Sequence, residues 1–137
     1  MPITKNSARK YGLIAEILLS KADLVTAVAE AIIDMPSGSI VDEIIPVVDE
    51  TYDPTASAVI EFGTAEGTTN DLVASQNIFT GQAVGARAMI TTAKGYKFTA
   101  RGAIWAKYTS GGGLATQGKM RVIVHYHYEN EADFVQN

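Results

Sequence analysis

Met120-Arg121-Val122-Ile123-Val124-His125-Tyr126-His127-Tyr128 alternates with a period of two. Successive side chains of a β-strand point to opposite faces, so Val122, Val124, Tyr126 and Tyr128 share one side. Arg121, Ile123, His125 and His127 share the other. β-branched and aromatic residues suit a pleated, half-buried surface. The stretch therefore reads as a strand with its valines and tyrosines in a core. Its outward side mixes one apolar residue, Ile123, with three basic ones, a composition that suits a subunit contact.

Similar punctuation runs back along the chain. Ala103 to Thr109 reads as a strand, joined to the last one by a flexible connection from Ser110-Gly111-Gly112-Gly113 to Gly118. Trp105 and Lys107 share one face of it, while Ile104, Ala106 and Tyr108 form the more core-like face. Ala86–Ala93 and Tyr96–Thr99 read as a hairpin about Lys94-Gly95. Gly63–Gly85 is a long polar loop with an apolar piece at Asn77–Thr80, and such loops carry binding roles or hide a small element. Ala58–Phe62 and Ser39–Val48 are strands, separated by a polar connection at Asp49–Ser57. Pro46 lacks an N–H, which predicts an edge position or a bulge. Met35-Pro36-Ser37-Gly38 is a turn. Tyr11–Met35 fits both a helical spacing and an alternation, and the period alone does not choose between them. The total is seven or eight short strands, the pattern of a β-sandwich or barrel.

Composition sets the outer limits. The chain has 137 residues, 47% hydrophobic and 19% charged, which predicts one folded domain rather than a disordered chain. A net charge of -4 argues against a nucleic-acid partner, which usually meets a basic face. Cysteine is absent, excluding disulfides, thiol nucleophiles and thiolate metal sites. No apolar run approaches the ~20 residues of a membrane span, and no signal peptide is evident at Met1–Lys10. Cytoplasmic synthesis is the expectation. Met1–Lys10, with Lys5, Arg9 and Lys10, reads as a solvated arm able to dock on an acidic neighbour. The domain is expected to run from residue 11 to 137, ending in a polar tail with Phe134 and Val135 as docking residues.

The chemistry-bearing residues do not converge on a reaction. His125 and His127 at i, i+2 can offer two imidazoles to one metal, but structural zinc needs four ligands and no others are evident. Asp42, Glu43, Asp49, Glu50 and Asp53 do not match a calcium loop and read as a solvated acidic edge, or as a surface that meets a basic arm of another copy. Gly63–Thr69 lacks the Gly-Lys-Ser/Thr ending of a phosphate loop, and no nucleophile elbow occurs. Metal, cofactor and catalytic residues are all expected to be none. Trp105, Tyr96, Tyr108, Tyr126 and Tyr128 serve either as core filling or as a platform for sugar.

Four places resemble a family of small structural proteins of tailed bacteriophages. Ala22-Asp23-Leu24 is followed by Asp34-Met35-Pro36-Ser37-Gly38-Ser39-Ile40, similar to a family turn of leucine, proline, small residue, glycine, alanine and isoleucine. Val47-Val48-Asp49-Glu50-Thr51-Tyr52-Asp53 with Ala58-Val59-Ile60-Glu61-Phe62-Gly63-Thr64 resembles the family's paired strands. The glycine-rich hairpin from Thr109 to Gly118 is the third place. Arg121–Tyr126 followed by Glu129-Asn130-Glu131-Ala132-Asp133 is the fourth, with Glu131 where the family often has arginine. The resemblance implies strands at Tyr11–Leu19 and Ala27–Met35, with a turn or short helix at Lys21–Val25. It implies an all-β, two-sheet sandwich of jelly-roll type with at most one short helix. It further implies a non-enzymatic virion component assembled in the host cytoplasm: a head decoration or cement protein that binds itself, as a trimer, and the major capsid protein. The expected contacts are Lys5, Arg9, Lys10, Trp105, Arg121, Ile123, His125 and His127. The alternative is a tail or receptor-binding module for host-surface carbohydrate, and a small enzyme is the other class weighed.

Overall fold

The computed structural model describes residues 12–53, 56–78 and 95–128. Among them are eight strands and no helix: β1 Leu13–Ser20, β2 Ala29–Met35, β3 Ser39–Glu50, β4 Ser57–Gly63, β5 Val73–Asn77, β6 Tyr96–Lys97, β7 Gly102–Gly111 and β8 Lys119–Tyr128. They form two four-stranded antiparallel sheets, ordered β1-β8-β3-β6 and β2-β7-β4-β5. The first strand thus pairs with the eighth, the second with the seventh, the third with the sixth and the fourth with the fifth. This is a long hairpin rolled into two layers, the jelly-roll order. The expected sandwich is present, and the residues 21–25 form turns rather than a helix.

Strand β8 is central, with β1 on one side and β3 on the other. Met120, Val122 and Val124 are completely buried, as its alternation requires. They meet Val41, Ile44 and Val48 of β3 and, from the second sheet, Ile104, Ala106, Ala58, Ile60 and Phe62 in one apolar cluster. Burying each such side chain contributes about 1.5–3 kcal/mol. Tyr126 and Tyr128 correct the assignment of both tyrosines to the core. They are only partly buried, stacked edge to face at 6.1 Å where the sandwich ends.

Other differences have local causes. β3 continues through Glu50, and Tyr52, expected in a polar connection, is fully buried. The long loop after Gly63 hides β5, a polar strand read as loop because alternation fails in Val73-Ala74-Ser75-Gln76-Asn77. Its backbone is satisfied by β4, with Val59 opposite Asn77 and Phe62 opposite Val73. Tyr96–Lys97 pairs with Ile40 and Val41 of β3. Its expected partner, Ala86–Ala93, lies outside the described residues, as do Met1–Lys10 and the tail after Tyr128. Pro46 sits opposite Val122 on β3, between two bulges rather than at one. Beyond Val41, the far side of β3 is an edge among the described residues, where a missing N–H costs no ladder bond.

Two tight features close the ends. Gly38 has φ +85° in the Pro36–Ser39 turn, where Ser39 donates from its backbone and its hydroxyl to the Pro36 carbonyl. Gly118 has φ +145°, and a Cβ there would stand 2.3 Å from the Tyr52 ring. Tyr52 and Tyr108 lie 5.5 Å apart, and neither buried hydroxyl has a hydrogen-bond partner among the described residues. Burial, the largest cause in each case, raises the pKa of both phenols, so both stay protonated. A Gly118→Ala variant therefore meets both steric overlap and an unfavourable φ, and is expected to lose roughly 2–4 kcal/mol in urea unfolding. Tyr52→Phe removes an unsatisfied hydroxyl while keeping the ring. The same assay should show it neutral or up to about 1–2 kcal/mol more stable, in contrast to the loss expected when a paired hydroxyl is removed.

Candidate functional site

The outer face of the β1-β8-β3 sheet carries a row of charged and basic side chains. Its geometry begins with an irregularity. β3 contains two acidic doublets, Asp42-Glu43 and Asp49-Glu50, and in a regular strand one member of each doublet would point into the core. The register shifts at both places, between Val41 and Glu43 and between Val48 and Glu50. A bulge sets two residues of one strand against one of its partner, so both carboxylates of each doublet can stay outside.

Each carboxylate then meets a base of β8. His127 Nδ1 lies 2.9 and 3.0 Å from the two oxygens of Asp42, and His125 Nδ1 lies 3.3 Å from Glu43. Arg121 Nε donates to both Asp49 oxygens at 2.9 and 3.1 Å. Lys119 Nζ stands 3.6 Å from Glu50. The hydrogen bond to Asp49 raises the Arg121 pKa first, followed by the Asp49 charge, with Glu16 adding to it. These side chains remain about a third or more exposed in most cases, so each pair contributes only about 0–1 kcal/mol. Their consequence is charge matching rather than strength. The acidic group of the sequence, read as a solvated edge, lies in four of its five members against a basic side chain of β8.

The structure brings Arg121, Ile123, His125 and His127 together on this face, as the alternation predicted. Beside them on β1 stand Ile14 and Leu18, each 66% exposed, with Glu16 between. Ile14 pairs with His125, Glu16 with Ile123 and Leu18 with Arg121. Trp105 is on the other sheet, opposite Ala31 and Gly63, next to the Lys107–Glu61 pair at 3.8 Å. It is partly buried and does not join the β8 set. Lys5, Arg9 and Lys10 lie outside the described residues. Among the described residues, no three of His, Asp and Glu converge as a metal site would require. Sequence reasoning did not single out Ile14 and Leu18 as exposed, because alternation over Leu13–Leu19 puts apolar residues on both faces. It also did not pair the two doublets with β8. The signal for that was present, since adjacent acids flanked by Val41 and Ile44 cannot both avoid the core without a bulge.

The fifth acid, Asp53, holds the β7–β8 connection. It accepts from the Thr116 hydroxyl and from the backbone N–H groups of Thr116 and Gln117, at 2.7 and 2.9 Å for the latter two. The Thr116 hydroxyl bond is the largest cause that lowers its pKa, followed by the Gln117 N–H. Asp23 is lowered in the same way by the backbone N–H and then the hydroxyl of Ser20.

Neither a protein-family model nor a curated protein sequence matches the chain significantly. Three solved structures share its fold. One is a chain in the acidic stable capsid of Helicobacter pylori bacteriophage KHP30, with TM-score 0.64 and 17% identity over 87% of this chain and 91% of that one. A second is in the capsid asymmetric unit of cyanophage Pam1, with TM-score 0.64 and 17% identity over 93% and 91%. A third is in the capsid of Ralstonia phage GP4, with TM-score 0.61 and 18% identity over 93% and 90%. At these identities the likeness establishes the architecture.

The lowered carboxylates have a signed consequence. A group whose pKa is lower folded than unfolded gives stability above its unfolded value of about 3.9, and loses it as pH falls through the folded value. Urea midpoints followed from pH 5 down to pH 2 are therefore expected to fall. Asp53→Asn should flatten part of that acid limb while lowering stability at pH 7.

Proposed function

We propose that the protein is a structural component of a phage virion, a decoration or cement protein that binds the outside of the head and stabilises the shell without catalysis. The observation that carries this reading is the match over nearly the whole length of single chains from three phage capsids. Because about nine-tenths of both partners align, those chains are of this chain's size and are matched as whole jelly rolls rather than as parts. The partners are the major capsid protein and other copies of the chain, as a trimer, with assembly in the host cytoplasm.

The outer face of β1-β8-β3 supports the reading physically. Burying unpaired charges in an interface is costly, whereas here Arg121 and Lys119 of β8 arrive already paired with Asp49 and Glu50 of β3, and the His125 and His127 rings lie against Glu43 and Asp42. Ile14, Leu18 and Ile123 then supply apolar surface. Arg121, Ile123, His125 and His127 are the contact residues of this face, Trp105 belongs to the opposite sheet's contact, and Lys5, Arg9 and Lys10 form the arm that docks on an acidic neighbour. An interface of about 800 Å² per partner suffices for specific binding. Repetition over a symmetric shell multiplies it through avidity.

Co-sedimentation with undecorated phage heads tests the proposal. The folded protein is expected to sediment with heads to a fixed stoichiometry and to raise their disruption temperature. Ile14→Asp with Leu18→Asp should abolish both effects without changing the fold. Folded protein that stays in the supernatant at every ratio would refute the reading.

A further inference from the structure

A pocket of about 370 Å³ opens at one end of the sandwich, bounded by Lys21, Leu24, Val25, Tyr108, Leu114 and Ala115. Its mouth carries the most exposed large apolar side chain described, Leu114 at 72%, and Val25 at 57%; Val28, at 44%, follows on the same turn. The walls are fixed in place. Ala27, at φ +63°, donates its N–H to the Tyr108 carbonyl at 2.7 Å, and Thr26 Oγ1 accepts from the Ser110 N–H at 2.9 Å. Lys21 stands exposed on the rim with no ion-pair partner among the described residues. An occupant should therefore be apolar at its tip and acidic beside it.

The chain contains one such segment. Glu129-Asn130-Glu131-Ala132-Asp133-Phe134-Val135-Gln136-Asn137 carries three carboxylates, no cation, and a Phe-Val pair directly after the last acid. It lies outside the described residues and follows Tyr128. That strand end is far from the pocket. Ser20 pairs with Lys119 and Lys21 donates to the Gly118 carbonyl, so the pocket adjoins the start of β8, while Tyr128 is its last residue. At roughly 3.3 Å per residue, β8 separates the two by about 30 Å. Phe134 is six residues beyond Tyr128 and, even fully extended, reaches only about 20 Å. The segment therefore cannot fill the pocket of its own chain.

The geometry points to a head-to-tail contact in which Phe134 and Val135 of one copy enter the Val25–Leu114 pocket of the next, with Lys21 facing Asp133 and Glu131. The inference rests on the self-association in the function proposed above and assigns a surface to it. A contact between two different patches is heterologous, and it gives a ring where the rotation between copies closes and an open filament where it does not. A trimeric ring would place three identical pockets, each filled by its neighbour.

Because the chain has no cysteine, introduced thiols report the contact cleanly. Full-length Leu114→Cys and full-length Phe134→Cys are mixed and oxidised, with Glu66→Cys, exposed in the β4–β5 connection, as the control partner for each. The mixed Leu114→Cys/Phe134→Cys disulfide is expected to form at least about tenfold faster than either control pair, the gain of a docked over a free thiol. Val25→Asp, checked for an unchanged near-UV spectrum, should lower the mass read by light scattering. An oligomer whose crosslinking is no faster than the controls would overturn the assignment while leaving self-association intact. A single-copy mass at every concentration would overturn both. A thiol-linked photo-crosslinker on Leu114→Cys that attaches to the shell protein on decorated heads, and not to a neighbouring copy, would give the pocket to the shell and overturn the assignment. Rapid crosslinking by protein that does not bind heads would uphold this contact and remove the head-binding reading.

Discussion

Val41, Ile44 and Val48 of β3 all enter the core, yet the first two are three residues apart, a spacing that a period-two strand cannot serve. The bulge at Asp42 reconciles them. It absorbs one residue, returns Ile44 to the inner face and leaves Asp42 and Glu43 outside together. The second bulge at Asp49 does the same for Asp49 and Glu50 after Val48. Everything else in that sheet depends on this adjustment. Without it, β3 would present a carboxylate to Val124 or an isoleucine to water along half its length, and β8 would lose the strand that covers one of its two edges. The ion pairs with His127, His125, Arg121 and Lys119 are a consequence of the bulges rather than their cause, because exposed pairs are too weak to impose a register against misplaced apolar residues.

The rolled-hairpin topology gives the molecule a polarity. Leu13 pairs with Tyr126 and Ser20 with Lys119, so both the entry to β1 and the exit from β8 lie at one end, and the Lys21 turns and the β7–β8 connection lie at the other. The second end is stiffened by Asp53, which bonds the connection across to the Tyr52 segment, and by the Tyr52 ring packed where Gly118 leaves no Cβ. The entry to β1 and the exit from β8 thus lie at one end and an apolar pocket at the other, so the two ends of the sandwich are chemically unlike. An antiparallel pairing of two β1 edges centred on Glu16 would also oppose two like charges, which is unfavourable at cross-strand distance.

Much of the fold was legible because β-strands with one face in a core must alternate. Met120–Tyr128 and Ala103–Thr109 show that alternation without interruption, and the structure places both centrally, with Val122, Val124, Ile104, Ala106 and Tyr108 inside as read. Legibility fails where the alternation fails. β5 is polar and short, held by main-chain bonds to β4 that leave no mark on side-chain pattern. Tyr52 is fully buried in a stretch rich in acids, because Asp49, Glu50 and Asp53 around it bond outward to β8 and to the β7–β8 connection. Tyr126 and Tyr128 continue the inner-face parity but outrun the opposing sheet, so parity alone overstates their burial. On the surface, the basic side of β8 was readable and its counter-charges were present in the sequence, but joining the two required the pairing of β3 with β8, which is long-range information.

The charge ladder also bears on where binding energy can come from. Arg121 and Lys119 are matched by Asp49 and Glu50 within the chain, so these two cations of β8 offer a partner little unmet charge, and Ile14, Leu18 and Ile123 are the apolar area of that face. The same holds at the pocket end, where Val25, Val28 and Leu114 are exposed and the pocket lining is mostly apolar. Monomeric proteins tolerate single exposed hydrophobics, but clusters of them on two surfaces of a small sandwich carry a solubility cost. The exposed apolar side chains of the described residues thus gather on two separate surfaces, the outer face of β1-β8 and the pocket end.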